Sequence, residues 1–261
     1  MTSAIQFEIS DGVATITLNR PDNANALNID IARGLMDAAN RCSEERAVRA
    51  AVLTGAGRFF CAGGDLKAFA EAGDELGGHL KEVTTYLHAA VSRLTRMDAP
   101  VIAAVNGVAA GAGMSLACAC DFVLAAESAR FTMAYTRAGL TPDGSSTYFL
   151  PRIVGLKRAL ELALSNRMLT AADAEQLGIV TRVVPDGTAL DEALALAKQL
   201  ASGALGAFGR TKRLMHAGFN ATLESQMEEE SQAIAISAMS PEGKEGIAAF
   251  LEKREPRFPR E

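Results

Sequence analysis

The segment that follows Pro100 carries residue types that could stabilise a developing negative charge. Val101–Val105 is an apolar run with β-branched residues at both ends, which is typical of a buried strand. Asn106-Gly107 favours a turn, and Gly111-Ala112-Gly113 leads into an apolar run that we interpret as a helix beginning near Ala112. Small side chains at a helix start leave the first backbone N–H groups uncovered, and an anion can bind there. Taken alone, this glycine and alanine cluster also fits plain close packing.

A second segment repeats this pattern upstream. Ala51–Thr54 has the composition of a strand, and Gly55-Ala56-Gly57 has that of a turn. Phe59–Leu66 is a glycine-bearing stretch that we predict to be a loop entering a helix. Two such units could direct two backbone N–H groups at one oxygen atom, which is the geometry of an oxyanion hole.

Asp143 is the acidic residue that we consider as a proton-transferring group. It lies in the turn-rich stretch TPDGSS at 141–146, and an aspartate in a Pro-Asp-Gly turn is commonly structural. His88 lies on a predicted amphipathic helix, Lys81–Met97, where an ordinary helix-face histidine is the simpler interpretation. The residues alone therefore leave both roles open.

The elements that must position these groups belong to an ordinary globular chain. Its 261 residues are 49% apolar and 22% charged, and they carry a net charge of −5 with a pI near 5.4, which argues against nucleic-acid binding. Four cysteines are present, and Cys118-x-Cys120 lacks the spacing of a zinc site, so we predict reduced thiols and no metal. Neither a signal peptide nor a membrane-spanning stretch is recognisable, and a cytoplasmic location is the expectation.

Strand and helix patterns alternate up to about Val184, and the rest of the chain is nearly all helical. We therefore predict an α/β body, assigned to residues 1–200, and a helical C-terminal region, 201–261. The hairpin signal Asp11-Gly12 joins the first two strands, and Gly73–Gly78 is expected to be a flexible interruption. The main predicted strands are Ile5–Ile9, Val13–Leu18, Arg49–Thr54, Asp121–Ala126, Arg130–Thr132 and Ile179–Val184. The main predicted helices are Ile29–Arg46, Asp65–Ala72, Gly155–Leu164, Ala171–Leu177, Leu190–Ala201, Ala204–Ala217, Thr222–Met239 and Pro241–Lys253.

The two glycine segments resemble the signature segments of the crotonase superfamily, the enoyl-CoA hydratase/isomerase family. The matching stretches are FCAGGDL (60–66) and NGVAAGAGMSLA followed by Asp121 (106–121). The similarity extends from TITLNRP (15–21) and NALN (25–28) to FLEKR (250–254), and so covers essentially the whole chain. The resemblance implies a spiral of ββα units, with C-terminal helices that pack on neighbouring subunits in a homotrimer or a dimer of trimers.

The resemblance also implies an acyl-CoA thioester substrate and assigns site residues. It places the two oxyanion donors on the backbone N–H groups of Gly64 and Ala112. Coenzyme A is part of the substrate, and no separate cofactor is expected. The residues implied to line its path are Ala24, Ala26, Leu27, Ala62, Asp65 and Leu66. Tyr135 and His88 are also expected to contact the substrate. Phe250 and Lys253 would close on the nucleotide from a neighbouring subunit, although Lys253 also fits a solvated tail charge.

The reaction itself depends on which group moves protons. Family hydratases use two glutamates, and the matching positions here are Ser115 and Tyr135, neither of which is a carboxylate base. Asp143 resembles the single acid of Δ3,Δ2-enoyl-CoA isomerases and of the ring isomerases of phenylacetyl-CoA catabolism, so a double-bond shift is the favoured reaction. The alternatives are 2-enoyl-CoA hydration, a catalytically silent or RNA-binding homologue, and dehalogenation of 4-chlorobenzoyl-CoA. The dehalogenase resemblance involves Asp143 and His88, but that enzyme has tryptophan where Tyr135 stands.

Overall fold

The chain begins with the hairpin that its sequence predicts. In the computed structural model, which describes residues 3–259, strands β1 (Ile5–Ser10) and β2 (Val13–Leu18) pair antiparallel around Asp11-Gly12. Both turn residues have positive φ, 53° and 84°, as a type I′ turn requires. The hairpin prediction is therefore confirmed.

The remaining strands form two sheets among the described residues. The larger sheet has the order β1-β2-β3-β5-β7-β10, and it is parallel from β2 onwards. The smaller has the order β4-β6-β8-β9, with only its last pair antiparallel. The strands are β3 (Ala50–Gly55), β4 (Phe59–Cys61), β5 (Val101–Val105), β6 (Val108–Ala110), β7 (Phe122–Ala126), β8 (Arg130–Thr132), β9 (Leu169–Thr170) and β10 (Arg182–Val184).

Helices cover both the spiral and the C-terminal part. They are α1 (Ile29–Glu44), α2 (Leu66–Glu71), α3 (Leu76–Arg96), α4 (Ala112–Ala119), α5 (Ser146–Val154), α6 (Leu156–Ser165), α7 (Ala171–Gln176), α8 (Ala189–Ala201), α9 (Leu205–Gly218), α10 (Leu223–Met239) and α11 (Pro241–Glu252). Within residues 3–259, no helix is both long enough and apolar enough to cross a bilayer.

Successive turns of the chain repeat one arrangement. The pairs β3-β4, β5-β6 and β7-β8 each give one strand to the larger sheet and one to the smaller, and helices follow. This repetition is the spiral of ββα units that the family resemblance implies, and the α/β prediction with a helical C-terminal region is confirmed. β3 and β5 are buried along their whole length, because both of their faces are covered. The division at residue 200 stays a prediction.

One local prediction was wrong. The stretch Phe59–Leu66 was predicted as a loop, but its first three residues form β4. The interruption predicted at Gly73–Gly78 lies between α2 and α3, with a short 3-10 turn at Gly73–Glu75 and α3 beginning at Leu76, and its flexibility stays a prediction. A helix of 21 residues tolerates glycines in its first turn because packing along the rest of its length supplies the stability.

Candidate active site

The two glycine segments meet at one cavity of about 300 Å³. The first segment reaches it at the end of β4, and the second reaches it where α4 begins. Its wall includes Gly63, Gly64, Gly111, Ala112, Tyr135 and Asp143, which brings the predicted amide donors and the predicted acid to one place.

Glycine is needed where the two segments touch. A Cβ atom on Gly113 would overlap the carbonyl oxygen of Cys61, and one on Gly111 would lie 3.4 Å from the Cα atom of Gly63. Gly63 and Gly111 also have positive φ values, 104° and 52°, which side-chain-bearing residues rarely adopt. These residues allow the start of α4 to approach the end of β4 closely.

The backbone N–H groups of Gly64 and Ala112 have no acceptor among the hydrogen bonds of the described residues. Their neighbours are bonded: Leu27 N–H donates to the Gly63 carbonyl at 2.7 Å, and Gly111 N–H donates to the Thr132 carbonyl at 3.0 Å. Ala112 is the first residue of α4, whose N-cap Gly111 offers no side-chain cap. Two unpaired donors that line one cavity can therefore bind an oxygen that gains negative charge.

Asp143 is held by a tyrosine rather than by a second carboxylate. The Tyr135 hydroxyl donates to Oδ1 of Asp143 at 2.6 Å, and the Ser115 hydroxyl lies 2.9 Å from the Tyr135 oxygen. Ser115 is fully buried. Because Tyr135 gives its proton to Asp143, the single Ser115 proton goes either to the Tyr135 oxygen or to the Gly111 carbonyl, 3.1 Å away. Burial, with the negative charge of Asp143 added, raises the pKa of the Tyr135 hydroxyl well above its usual range. Tyr135 therefore stays neutral and acts as a hydrogen-bond donor.

Among the described residues, His88 lies close to Asp143 but makes no hydrogen bond to the Asp143 carboxylate. Its Nε2 atom accepts a hydrogen bond from the Gly144 N–H at 3.3 Å, so it holds the backbone next to the acid. His88 is exposed and lines a second, larger cavity of about 860 Å³, which Asp143 also lines. Asp143 thus stands between two cavities, with α3 and α9 bounding the larger one.

The residues predicted along the coenzyme A path fall into two groups. Leu27, Ala62 and Leu66 line the first cavity, and Leu66 is 56% exposed. Ala24 and Ala26 act through their backbones: the Ala24 carbonyl accepts from the Ala62 N–H at 3.1 Å, and the Ala26 carbonyl accepts from Arg20 at 2.7 Å. The binding role of all five stays a prediction.

Asp65 has structural partners in this arrangement. Its carboxylate pairs with Arg20 at 2.9 Å and caps α2 by accepting from the Ala68 N–H at 3.2 Å. Burial disfavours the charged carboxylate, but the hydrogen bonds from Arg20 and from the helix start outweigh it, and the pKa of Asp65 is lowered. This residue therefore supports the wall beside Gly64 rather than lining the cavity.

Phe250 and Lys253 are remote from both cavities within their own chain. Phe250 is 83% exposed on α11, and Lys253 caps the end of that helix with a positive φ of 54°. Neither lines the first or the second cavity. Because their predicted role is in the site of a neighbouring subunit, it stays a prediction.

Several lining residues were not singled out from the sequence. Phe69 of α2 packs against Gly64, and Lys81 and Thr84 of α3 line the first cavity. Lys81 is the only cation in that wall among the described residues. The amphipathic pattern of α3 indicated a buried face, but it gave no sign of which polar residues border a cavity.

Sequence comparison identifies the family of the chain. The model of the enoyl-CoA hydratase/isomerase family matches residues 8–261. A Rhodobacter capsulatus protein named "Probable enoyl-CoA hydratase" is 43% identical over 254 residues, which cover 97% of each chain. The 1,2-epoxyphenylacetyl-CoA isomerase of Escherichia coli is 38% identical over 262 residues, which cover 99% of each chain. The 4-chlorobenzoyl coenzyme A dehalogenase-2 of an Arthrobacter species is 36% identical over 250 residues, which cover 95% of this chain and 91% of that protein.

Structure comparison agrees with the sequence comparison. The crystal structure of an enoyl-CoA hydratase from Polaromonas has a TM-score of 0.94 at 36% identity, with 98% of this chain and 99% of that chain covered. The protein belongs to the enoyl-CoA hydratase/isomerase family of the crotonase superfamily. It is an enzyme of the class that acts on coenzyme A thioesters.

Proposed function

We propose that this enzyme is an enoyl-CoA isomerase that moves a double bond along the acyl chain. The observation that carries the proposal is the position of Asp143. A single carboxylate lines the same cavity as the unpaired N–H groups of Gly64 and Ala112. A double-bond shift needs one group that takes up a proton and returns it, and one site that stabilises the intermediate enolate.

The proposed mechanism uses these groups in sequence. The thioester oxygen of a 3-enoyl-CoA accepts hydrogen bonds from Gly64 and Ala112. Asp143 removes a proton from C2, and the electron pair of that C–H bond delocalises into a dienolate whose oxygen is held by the two amides. The carboxylic acid formed on Asp143 then delivers the proton to C4, which leaves the double bond between C2 and C3. The donors match charge that develops only during the reaction, and they therefore lower its barrier.

The surroundings of Asp143 favour isomerisation over hydration. Addition of water requires a group that holds and activates the water molecule. The two positions that carry glutamates in family hydratases are occupied by Ser115 and Tyr135. Their hydroxyl groups are bonded to each other, and that of Tyr135 is also bonded to Asp143. Neither can act as a carboxylate base. Hydration of 2-enoyl-CoA is the alternative, and a relative bears that name.

One observation favours a second candidate, displacement of a halide from an aromatic CoA thioester. His88 stands beside Asp143 through its bond to Gly144, and both line the larger cavity. In that reaction the Asp143 carboxylate would attack the ring carbon, halide would leave, and water activated by His88 would cleave the resulting ester. This candidate is less well supported than isomerisation, because the Nε2 atom of His88 accepts the Gly144 N–H and is not available to activate water.

We also propose that the chain assembles as a homotrimer or a dimer of trimers. Large apolar side chains on the C-terminal helices are exposed in the single chain, and burial of such a surface drives association. They are Met215, Phe219, Leu223, Met227, Ile234, Ile236, Met239, Ile247, Phe250 and Leu251. The proposed chemistry requires no cofactor beyond the coenzyme A of the substrate. The free thiols of the four cysteines fit the reducing cytoplasm as its location.

The replacement Asp143→Asn tests the proposed function. The wild-type enzyme is expected to convert 3-enoyl-CoA into 2-enoyl-CoA, and the variant to lose about 10²–10⁴-fold in kcat while it still binds coenzyme A. Asp37→Asn, at an exposed position of α1, is the matched control. The assay should include 2-enoyl, 3-enoyl, ring-epoxide and 4-halobenzoyl thioesters, each followed separately.

Three results would contradict the isomerase proposal. Unchanged turnover in Asp143→Asn would remove this carboxylate from the mechanism. Efficient hydration of 2-enoyl-CoA by an enzyme inert towards 3-enoyl-CoA would favour the lyase alternative. Release of halide from the 4-halobenzoyl thioester, abolished in Asp143→Asn, would favour the substitution reaction.

A further inference from the structure

The Tyr135 hydroxyl makes two contacts of hydrogen-bond length, one with Asp143 and one with Ser115. It donates to Oδ1 of Asp143 at 2.6 Å, a length typical of a hydrogen bond to an ionised carboxylate. On its other side it meets the hydroxyl of the fully buried Ser115 at 2.9 Å. A phenol carries one proton, and the carboxylate is the stronger acceptor, so that proton lies between Tyr135 and Asp143.

The backbone of Asp143 is held as firmly as its side chain. Its carbonyl oxygen accepts from the Ser146 hydroxyl at 2.9 Å and from the Ser146 N–H at 3.1 Å. The next residue, Gly144, donates to His88 of α3 and packs against Ser115 of α4. With the Asp143 carbonyl and the following residue held, the direction of the carboxylate depends on the bond to Oδ1.

The other carboxylate oxygen has no partner within residues 3–259. Among the hydrogen bonds and ion pairs of the described residues, Oδ2 of Asp143 accepts none, although Asp143 lines the cavity that holds the two unpaired amides. Among the described residues, Lys81, the cation of the same cavity wall, forms no salt bridge with Asp143. Ion pairing therefore does not compete with Tyr135 for the Asp143 carboxylate. One oxygen is therefore held and the other is free.

We propose that Tyr135 is a positioning residue, whose hydroxyl, supported by Ser115, fixes Oδ1 of Asp143 so that Oδ2 alone exchanges the proton with the substrate. The proposal rests on the proposed function of Asp143 as the proton shuttle. It replaces the sequence-based expectation that Tyr135 binds substrate. The high pKa of the Tyr135 hydroxyl supports it, because a phenol that stays neutral remains a donor throughout the working pH range.

This role has a consequence for proton return. A carboxylate that takes a proton from C2 and delivers it to C4 needs no rotation if the same oxygen faces both carbons. Loss of the bond to Oδ1 allows the carboxylate to rotate, and the fraction of time in reactive geometry falls. The affinity for the thioester, which depends on other contacts, is unaffected.

The test is Tyr135→Phe, which removes the hydroxyl and keeps the ring. We expect kcat for isomerisation of 3-enoyl-CoA to fall by about 10- to 100-fold while KM changes less than about threefold. Tyr86→Phe, in α3 and outside both cavities, is the matched control and should change neither value. Ser115→Ala should lower kcat in the same direction by less, roughly threefold to tenfold, and it serves as the second variant if Tyr135→Phe folds poorly.

A crystal structure of Tyr135→Phe with a bound saturated acyl-CoA gives a readout that does not depend on turnover. The proposal expects the Asp143 carboxylate to rotate or to occupy more than one orientation, in contrast with a single orientation in the wild-type complex. Raised KM with unchanged kcat would show a substrate ligand instead and overturn the proposal. So would a carboxylate that keeps its orientation without the hydroxyl. Failure of the proposed function is distinguishable, because Asp143→Asn would then retain activity whatever the effect of Tyr135→Phe.

Discussion

Replacement of Ala112 by proline would remove one backbone donor from the cavity while leaving α4 able to form. Ala112 is the first residue of that helix, where the N–H has no intrahelical acceptor and the fixed φ of proline suits the helix. The chain already uses this arrangement at Pro241, which begins α11. The usual cost of proline in a helix interior, about 3 kcal/mol, therefore should not apply.

The expected effect falls on the reaction. If the two amides act as proposed, loss of one oxyanion donor costs about 3–4 kcal/mol of transition-state stabilisation, which corresponds to a fall in kcat of roughly 10²–10³-fold. The glycine before it, Gly111, has φ 52° and carries no Cβ to clash with the proline ring. The variant should retain its far-UV circular dichroism and should unfold within a few degrees of the wild type.

The assay measures isomerisation of 3-enoyl-CoA together with binding of free coenzyme A, which has no acyl carbonyl. Ala112→Gly is the matched control, because glycine retains the N–H group at the same backbone position. We expect its kcat to stay within about threefold of wild type. A folded Ala112→Pro variant with wild-type kcat would refute the assignment of this amide as a donor. So would a proline variant that had lost coenzyme A binding to the same extent as activity.

Two further predictions concern the framework of the site. Asp65→Asn should lower the free energy of unfolding by about 1 kcal/mol at pH 7, because it weakens the bond from Arg20. Since the pKa of Asp65 is lowered in the folded state, this stabilisation is present above its unfolded pKa of about 3.9 and is lost as the pH falls through the folded value. Urea unfolding at pH 7 and pH 3 checks it, and an equal difference at both would contradict it. Gly113→Ala should lower the free energy of unfolding by at least about 2 kcal/mol, because the added methyl group meets the Cys61 carbonyl. Gly77→Ala, in α3 with open space around it, should raise the free energy of unfolding by about 0.5–1 kcal/mol. Equal unfolding midpoints for the two variants would contradict the packing described.

The sequence predicted every strand of the larger sheet, but of the smaller sheet only β8, at Arg130–Thr132. Val13–Leu18 and Val101–Val105 were predicted with the bounds that the structure shows, because long apolar runs and a turn dipeptide carry a strong signal. β4, β6 and β9 were missed, since segments of two or three residues carry little periodicity. Glycines in both segments suggested loops, yet here they permit two backbones to approach.

The site could be predicted in part for a similar reason. Gly64, Ala112 and Asp143, which the family resemblance singled out, line one cavity, and their roles stay predictions. The hydrogen bond from Tyr135 to Asp143 was not predicted, because the two residues are separated by a 3-10 turn and a loop whose path no local pattern specifies. The position of Lys81 in the cavity wall was missed because the amphipathic pattern of α3 indicates its buried face but not the polar residues that border a cavity.

The donors that meet in the first cavity belong to the main chain, and this affects how such an enzyme can diverge. In the proposed mechanism, exchange of a side chain at Gly64 or Ala112 alters bulk but leaves each N–H in place, unless proline is introduced. During evolution the backbone N–H groups that activate the thioester can therefore be retained while the side chains around the carboxylate change. Relatives at 36–43% identity that are named for isomerisation, hydration and dehalogenation fit such a history.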